Sequence, residues 1–265
     1  MRISVSNIAW PQELDDAVFP WLAANEVQAI EVAPTRVWPQ WSGIQTQTFR
    51  RRVEAEGLSI SSLQSILFQK PELHLFGSAE VRQQLRDHLK LCADIAAALG
   101  ARYMVFGGPK NRLRGALAED EAFAIATELF AQSAADCVER GVCLAFEPNP
   151  AFYQCDFATE STTAARLVKA VASPGFVLHL DSACMHLAGE DAAAAIQANR
   201  LVLQHFHASE QNLGDFATPA ASHAESAAAL RSIGYPGWVA LEMRTGNPPL
   251  PALQQAVKFV VETYG

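Results

Sequence analysis

Four side chains of metal-ligand type each stand at the end of a short apolar run. They are Glu147 in LAFEPN, Asp181 in LHLDSA, His207 in HFHASE and Glu242 in ALEMR. Burying three carboxylates together is costly unless a cation balances their charge. We therefore predict that these four residues form one divalent-metal site. The alternative is four unrelated polar residues that begin loops or cap helices.

The donor set also bears on the metal. Three carboxylates with one imidazole nitrogen suit Mn²⁺, Mg²⁺ or Co²⁺, and they allow Zn²⁺. We expect one such ion as the cofactor. A substrate hydroxyl and carbonyl could complete its coordination.

Eight β-like runs must bring these residues together. Segments of helical pattern end in Gly and are followed at once by short runs rich in Val, Ile, Leu and Phe, which is typical of strands buried on both faces. The predicted strands are Ile3–Ala9, Val27–Ala33, Leu58–Ile66, Tyr103–Gly107, Val142–Glu147, Phe176–Asp181, Leu201–Ala208 and Trp238–Met243. The clearest predicted helices are Ala79–Leu99, Glu119–Glu139 and a last one near Leu250–Thr263.

Eight strand–helix alternations in 265 residues predict an α/β fold, a single (β/α)8 TIM barrel formed by residues 1–265. A doubly wound sheet is the alternative, but the first strand leads into SNIAWPQ and not into a glycine-rich fingerprint. Catalytic side chains of such barrels lie at the C-terminal ends of the strands. The four candidate ligands occupy that position.

Composition excludes several classes of protein. With 50% hydrophobic and 18% charged residues, the chain is not disordered. A net charge of −8 argues against a nucleic-acid partner. Five cysteines without a C-x-x-C pair argue against a disulfide framework or a zinc ribbon. The first residues lack a signal-peptide core and no long apolar run is present, so we expect a cytoplasmic protein without a membrane partner.

Further polar residues near the predicted strand ends are candidate substrate contacts. They are Asn7, Glu31, Gln64, Lys110, Arg112 and Arg244. Lys110, beyond two glycines, could act as a proton donor, or it could be a surface lysine. Arg112 and Arg244 could bind a carboxylate or phosphate with two hydrogen bonds. Arg244 could instead pair with a barrel carboxylate such as Glu31.

Two groups of aromatic side chains remain open to two interpretations. Trp38 and Trp41 could form an apolar wall against a sugar, or they could only cover the barrel mouth. His179 and His205 each lie two residues before a candidate ligand, so they face the same way but deeper. They could orient the ligands, but a role as hydrogen-bonded core histidines is favoured.

Four motifs resemble the xylose isomerase-like TIM-barrel superfamily, in its sugar phosphate isomerase/epimerase branch. They are FEPNP at 146–150, HLDSA at 179–183, HFHASE at 205–210 and ALEMR at 240–244. The resemblance extends over essentially the whole chain. It implies that the four candidate ligands bind one divalent metal and that Glu147 and Glu242 also transfer the proton, as the catalytic pair.

The implied function is a metal-dependent isomerase or epimerase that acts on a sugar or sugar-derived carbonyl compound through an enediolate. A metal-dependent dehydratase of a keto-polyol, such as an inosose, is one alternative, and a non-catalytic sugar-binding barrel is another. The apurinic-site endonucleases of the superfamily need additional histidines and basic character, which this sequence lacks. A small sugar-like molecule is the expected partner, and a homodimer is possible.

The chain departs from the epimerase pattern at three positions. Cys184, Tyr153 and Leu213 stand where these epimerases have a His, a Glu and an Arg that contact substrate. We therefore expect a metal core like that of the family with altered substrate contacts, among them Tyr153 and Cys184.

Overall fold

A closed barrel of eight parallel strands forms the centre of the protein. The computed structural model describes residues 1–40 and 44–265, so Trp41 lies outside the described residues. Each strand pairs with the next in sequence, and the last pairs with the first. The strands are β1 (Arg2–Ser6), β2 (Ala29–Val32), β3 (Ser59–Leu63), β4 (Tyr103–Phe106), β5 (Cys143–Phe146), β6 (Phe176–Asp181), β7 (Leu203–Ser209) and β8 (Trp238–Glu242). The predicted TIM barrel is confirmed.

Helices surround the barrel. In the described ranges they are α1 (Asp15–Ala24), α2 (Pro34–Val37), α3 (Thr46–Ala55), α4 (Ala79–Leu99), α5 (Glu119–Glu139), α6 (Ser161–Val171), α7 (Ser182–Leu187), α8 (Ala192–Ala198), α9 (His223–Ser232) and α10 (Pro249–Tyr264). The predicted bounds of α4 and α5 match those of the structure. None of these described helices is both long and apolar enough to cross a lipid bilayer.

Several strands end earlier than predicted. β1 stops at Ser6, where the chain turns into a short 3₁₀ helix at Asn7–Ala9. β3 stops at Leu63, and Ser65 has a φ of 52°, which is incompatible with a strand. β5 ends at Phe146, so Glu147 is the first residue after it. These ends give the loops room to place side chains over the barrel mouth.

Packing between helices and strands fixes the strand ends that carry the candidate site. Phe130 of α5 packs against Phe106, Phe146 and Phe176 of β4, β5 and β6, at ring-centroid distances of 4.8 to 5.4 Å. All four rings are buried. Aromatic packing of this kind fixes the neighbouring strands relative to one another.

The inside of the barrel is layered from apolar to polar. Ala29, Tyr103, Cys143, Ala145 and Trp238 form an apolar cluster of their own. Buried polar residues of β1, β2 and β3 are hydrogen-bonded to each other. Ser4 contacts Ser61, and Ser62 donates to Glu31. The candidate site therefore lies above a polar interior and not above a purely aliphatic core.

Candidate metal centre

The barrel brings the four predicted ligands to its C-terminal mouth. Asp181 and Glu242 are the last residues of β6 and β8, His207 lies in β7, and Glu147 follows β5. His207 Nδ1 lies 3.2 Å from Glu242 Oε2 and 3.9 Å from Asp181 Oδ2. Ligand atoms of Glu147, Asp181 and His207 lie within 4.8 Å of one another, and a nitrogen of His179 belongs to the same group.

An unsatisfied nitrogen marks the centre of this group. His207 Nδ1 is buried and has no hydrogen-bond partner among the described residues, although a carboxylate oxygen of Glu242 and one of Asp181 lie within 4 Å of it. Buried ring nitrogens without a partner are rare in folded proteins. A divalent cation placed among these atoms would satisfy the nitrogen and neutralise the carboxylates, so the donor set fits a metal ion.

The pKa shifts at the site also favour a bound cation. Burial and the charge of Asp181 raise the pKa of Glu147, and burial also raises the pKa of Glu242 although His207 opposes the shift. Burial lowers the pKa of His207, but the carboxylates of Glu31 and Glu242 outweigh it and hold that pKa well above its usual value. Without a cation the site therefore retains protons that a divalent ion would displace.

Outer contacts orient two of the ligands. Asp181 accepts hydrogen bonds from the Cys184 N–H at 2.7 Å and the Ser209 hydroxyl at 2.5 Å. His207 Nε2 donates to Glu31 Oε1 at 3.2 Å. A ligating histidine commonly donates its other N–H to a carboxylate, which fixes the tautomer and leaves the first nitrogen free for the metal.

Glu31 was predicted as a substrate contact, but the structure places it elsewhere. Its side chain is fully buried beneath His207, and it is not among the residues that line the cavity. Burial would raise the pKa of Glu31, but His207 and His205 lower it below its usual value. We reassign Glu31 from binding substrate to positioning His207.

Position 107 requires glycine because the Glu147 carboxylate lies close to the backbone there. A Cβ built there would lie 2.0 Å from Glu147 Oε2, far inside van der Waals contact. The other carboxylate oxygen, Glu147 Oε1, lies 3.9 Å from the Cys184 sulfur. The Glu147 carboxylate therefore occupies space that any larger residue at 107 would take.

A cavity of about 840 Å³ opens above these ligands, a volume in the range of small-molecule sites. Its lining includes all four predicted ligands and five of the other predicted site residues. These five are Gln64, Lys110, Tyr153, Cys184 and Arg244. Lys110 is exposed, Tyr153 accepts a hydrogen bond from the Asn212 N–H at 2.9 Å, and Arg244 donates to the Asn212 carbonyl, not to Glu31.

Three further predicted contacts do not line the cavity. Asn7 accepts the Ala33 N–H at 2.8 Å and thereby connects the ends of β1 and β2. Arg112 is fully buried, with its guanidinium carbon 4.7 Å from the Phe146 ring centroid. Trp38 packs edge-on against Phe49. These three side chains therefore contact other parts of the protein and do not face the cavity.

Sequence reasoning did not single out Glu210, which lines the cavity. It is buried and accepts hydrogen bonds from His223 at 2.8 Å and from the Ala220 and Ala221 amides. Glu210 therefore fixes the segment that follows β7. Its place three residues after His207, directly after the strand, was the available signal.

Two more histidines lie below the ligands. His179 Nδ1 and His205 Nδ1 are 2.9 Å apart, and His205 Nε2 contacts the Ser62 hydroxyl at 3.0 Å. Both rings are fully buried. Burial lowers the pKa of His205 to about 3 and that of His179 well below its usual value. Both rings are therefore neutral, and His179 Nε2 faces Glu147 Oε1 at 3.7 Å.

Comparisons with known proteins agree with this architecture. The family model for xylose isomerase-like TIM barrels matches residues 19–263. A sequence comparison with curated proteins found no match to this chain.

Solved structures with similar folds include sugar epimerases. The D-psicose 3-epimerase of Clostridium cellulolyticum H10, solved with D-tagatose, is similar over 100% of this chain and 99% of its own, with a TM-score of 0.83 and 16% identity. The 3-keto-D-glucoside 4-epimerase of E. coli is similar over 99% of both chains, with a TM-score of 0.81 and 15% identity. The IOLI protein, solved with a bound zinc atom, is similar over 99% of this chain and 96% of its own, with a TM-score of 0.76 and 15% identity. At these identities the similarity shows the shared fold.

Proposed function

Because this chain belongs to the xylose isomerase-like TIM-barrel family, we propose that it is a divalent-metal-dependent isomerase or epimerase of a sugar or sugar-derived carbonyl compound. One observation carries the proposal. His207 presents an unsatisfied buried nitrogen to the carboxylates of Asp181 and Glu242, at the floor of a cavity of about 840 Å³.

The metal would be held by Glu147, Asp181, His207 and Glu242. When bound, the ion supplies Lewis-acid stabilisation to the oxygens of a carbonyl and a neighbouring hydroxyl while the adjacent C–H bond breaks. The donor set favours Mn²⁺, Mg²⁺ or Co²⁺, with Zn²⁺ possible. The zinc atom in the IOLI structure is consistent with the last of these.

Proton transfer falls to Glu147 and Glu242. Both carboxylates are nearly buried and both line the cavity. Glu147 follows β5 and Glu242 ends β8, three strands apart, so a substrate between them can present one face to each. Removal of a proton by one carboxylate and its return from the other inverts the carbon, which is epimerisation. A single carboxylate that serves two neighbouring carbons gives isomerisation.

The remaining cavity residues would bind and orient the substrate. Lys110 places an ammonium group at the mouth of the cavity, where it can donate a proton or neutralise a developing oxyanion. Gln64, Tyr153, Cys184 and Arg244 surround the same space. The family positions now occupied by Tyr153 and Cys184 differ in chemistry from the residues of ketose 3-epimerases. We therefore propose a substrate distinct from the free ketoses that those epimerases use.

Exchange of substrate hydrogen with solvent tests this proposal. Metal-stripped protein is reloaded with Mn²⁺ or Co²⁺ in heavy water and incubated with a panel of free and phosphorylated ketoses, keto-glucosides and inososes. We expect one panel member to gain a deuteron at a carbon next to its carbonyl. Glu147→Gln and Glu242→Gln should lose the exchange. The matched control Glu262→Gln, in an exposed ion pair with Lys258, should keep it.

The products of the same incubations distinguish an isomerase or epimerase from a dehydratase and from a sugar-binding barrel. A product that has lost water would identify a dehydratase, because isomerisation and epimerisation leave the composition of the substrate unchanged. Binding of a panel member without any exchange or dehydration, in protein that holds the metal, would contradict the proposed activity and favour a sugar-binding barrel.

A further inference from the structure

We propose that His179 is an additional metal ligand, through Nε2, so that the ion has two imidazole nitrogens. This inference rests on the proposed metal site but adds a ligand that the strand-end pattern does not include. Nε2 is fully buried and has no hydrogen-bond partner among the described residues. It lies 3.7 Å from Glu147 Oε1, and a ring nitrogen of His179 lies within 4.8 Å of ligand atoms of Glu147, Asp181 and His207.

Hydrogen bonds inside the barrel determine which nitrogen of His179 carries the proton. The Ser62 hydroxyl donates to Glu31 Oε1 at 2.7 Å, the shortest of its contacts and the one with a carboxylate. Since its single hydrogen is used there, Ser62 Oγ accepts from His205 Nε2 at 3.0 Å. With His205 Nε2 as the donor to Ser62, His205 Nδ1 is the acceptor in its contact with His179.

The contact between the two rings then determines which nitrogen of His179 carries the proton. Two Nδ1 atoms 2.9 Å apart need one hydrogen between them, and only His179 can supply it. His179 therefore carries its proton on Nδ1. Its Nε2 has a lone pair, and that lone pair faces the carboxylates.

The His179 and His207 rings therefore have the same arrangement of hydrogen bonds. In each ring one nitrogen donates to a fixed partner, His205 for the first and Glu31 for the second. In each ring the other nitrogen is buried, unsatisfied and directed at Glu147, Asp181 or Glu242. A donated outer N–H is what holds a ligating imidazole in its orientation.

The distances are suitable for one ion. Metal–nitrogen and metal–oxygen bonds of about 2.0–2.2 Å allow two donors on one ion to be up to ~4.4 Å apart. The His179 Nε2 to Glu147 Oε1 distance of 3.7 Å satisfies this limit. Two imidazoles also shift the preference of the site away from Mg²⁺ and toward Co²⁺ or Zn²⁺, because nitrogen donors bind the later metals more strongly.

Pulsed electron paramagnetic resonance of the Mn²⁺-loaded wild-type protein counts the directly coordinated nitrogens. Comparison of unlabelled protein with protein containing ¹⁵N-histidine assigns the couplings to imidazole. We expect two coordinated histidine nitrogens. One coordinated nitrogen would overturn this inference and leave the proposed function standing, whereas protein that binds none of Mn²⁺, Co²⁺, Mg²⁺ and Zn²⁺ would overturn both.

Variants assign the second nitrogen. We expect His179→Gln to lose one coupling and to lower the ratio of Co²⁺ to Mg²⁺ affinity by about 10–100-fold, the range seen even for outer metal partners. His223→Gln is the matched control, since His223 is also buried but bonds Glu210 and Tyr264. An unchanged coupling pattern and metal preference in folded His179→Gln would contradict the assignment.

Discussion

Substitution of Gly107 by Ala tests the metal centre without altering any ligand. The new Cβ would lie 2.0 Å from Glu147 Oε2, while ordinary contact begins at 3.4 Å. The carboxylate oxygen must therefore retreat by about 1.4 Å, the difference of these distances. The backbone at Gly107 lies outside the left-handed region, so alanine itself causes no backbone strain there.

A retreat of this size is large on the scale of a coordination bond. Ligand positions must be held within about 0.2 Å for a metal site to form as designed. We therefore expect Gly107→Ala to lower metal affinity at least 10–100-fold, which is about 1.4–2.7 kcal/mol. The cavity beside Glu147 leaves space for the displaced side chain, so the variant should remain folded.

The assay is metal titration by isothermal calorimetry or by competition with a chelating dye, together with circular dichroism of the metal-free protein. A double-mutant cycle with Glu147→Ala isolates the steric contact. In the Glu147→Ala background the added methyl group meets no carboxylate, so Gly107→Ala should cost nothing further. An equal affinity loss in both backgrounds, or no loss in the single variant, would refute the assignment of Glu147 to the metal.

Three other predictions follow from the outer contacts and from linkage. Glu31→Gln should lower metal affinity by about 10–100-fold because His207 loses its charged partner; a loss no larger than that of Glu262→Gln would contradict this role. Mn²⁺ at 100 times its dissociation constant should stabilise the wild-type fold by about 2.7 kcal/mol, seen as a higher melting temperature, and Asp181→Asn should abolish the shift. Burial tends to raise the pKa of Glu210, but hydrogen bonds from His223 and two amides lower it below 4.5. Its stabilisation is therefore present above pH 4.5 and is lost as the pH falls through the lowered pKa, so Glu210→Gln should reduce stability at pH 7 but not at the acid end of a chemical-denaturation series.

Much of the fold could be predicted because the residues that end its helices act on the local backbone. α4 ends where predicted, since Gly100 follows it with a φ of 78°, a conformation that glycine adopts without strain. The predicted carboxyl ends of β1 and β3 extend past the observed ends, because no such local signal marks where these strands stop. Residues beyond both strands, such as Asn7 and Gln64, are still buried, so burial alone does not mark where hydrogen bonding stops.

The candidate site was predictable in part. Residue type and strand-end position were enough to bring Asp181, His207 and Glu242 into one place. The direction of each side chain was not predictable, because it depends on partners that are distant in sequence. Glu31 pairs with His207, 176 residues away, and Arg112 donates to Cys155, 43 residues away. Those contacts exist only once the barrel closes.

Anomalous diffraction from crystals grown with Mn²⁺ would locate the metal ion itself. We expect one strong peak at the barrel mouth, about 2.0–2.6 Å from oxygens of Glu147, Asp181 and Glu242 and from Nδ1 of His207. A peak elsewhere, coordination through Nε2 of His207, or no peak at a saturating concentration of Mn²⁺ would contradict it.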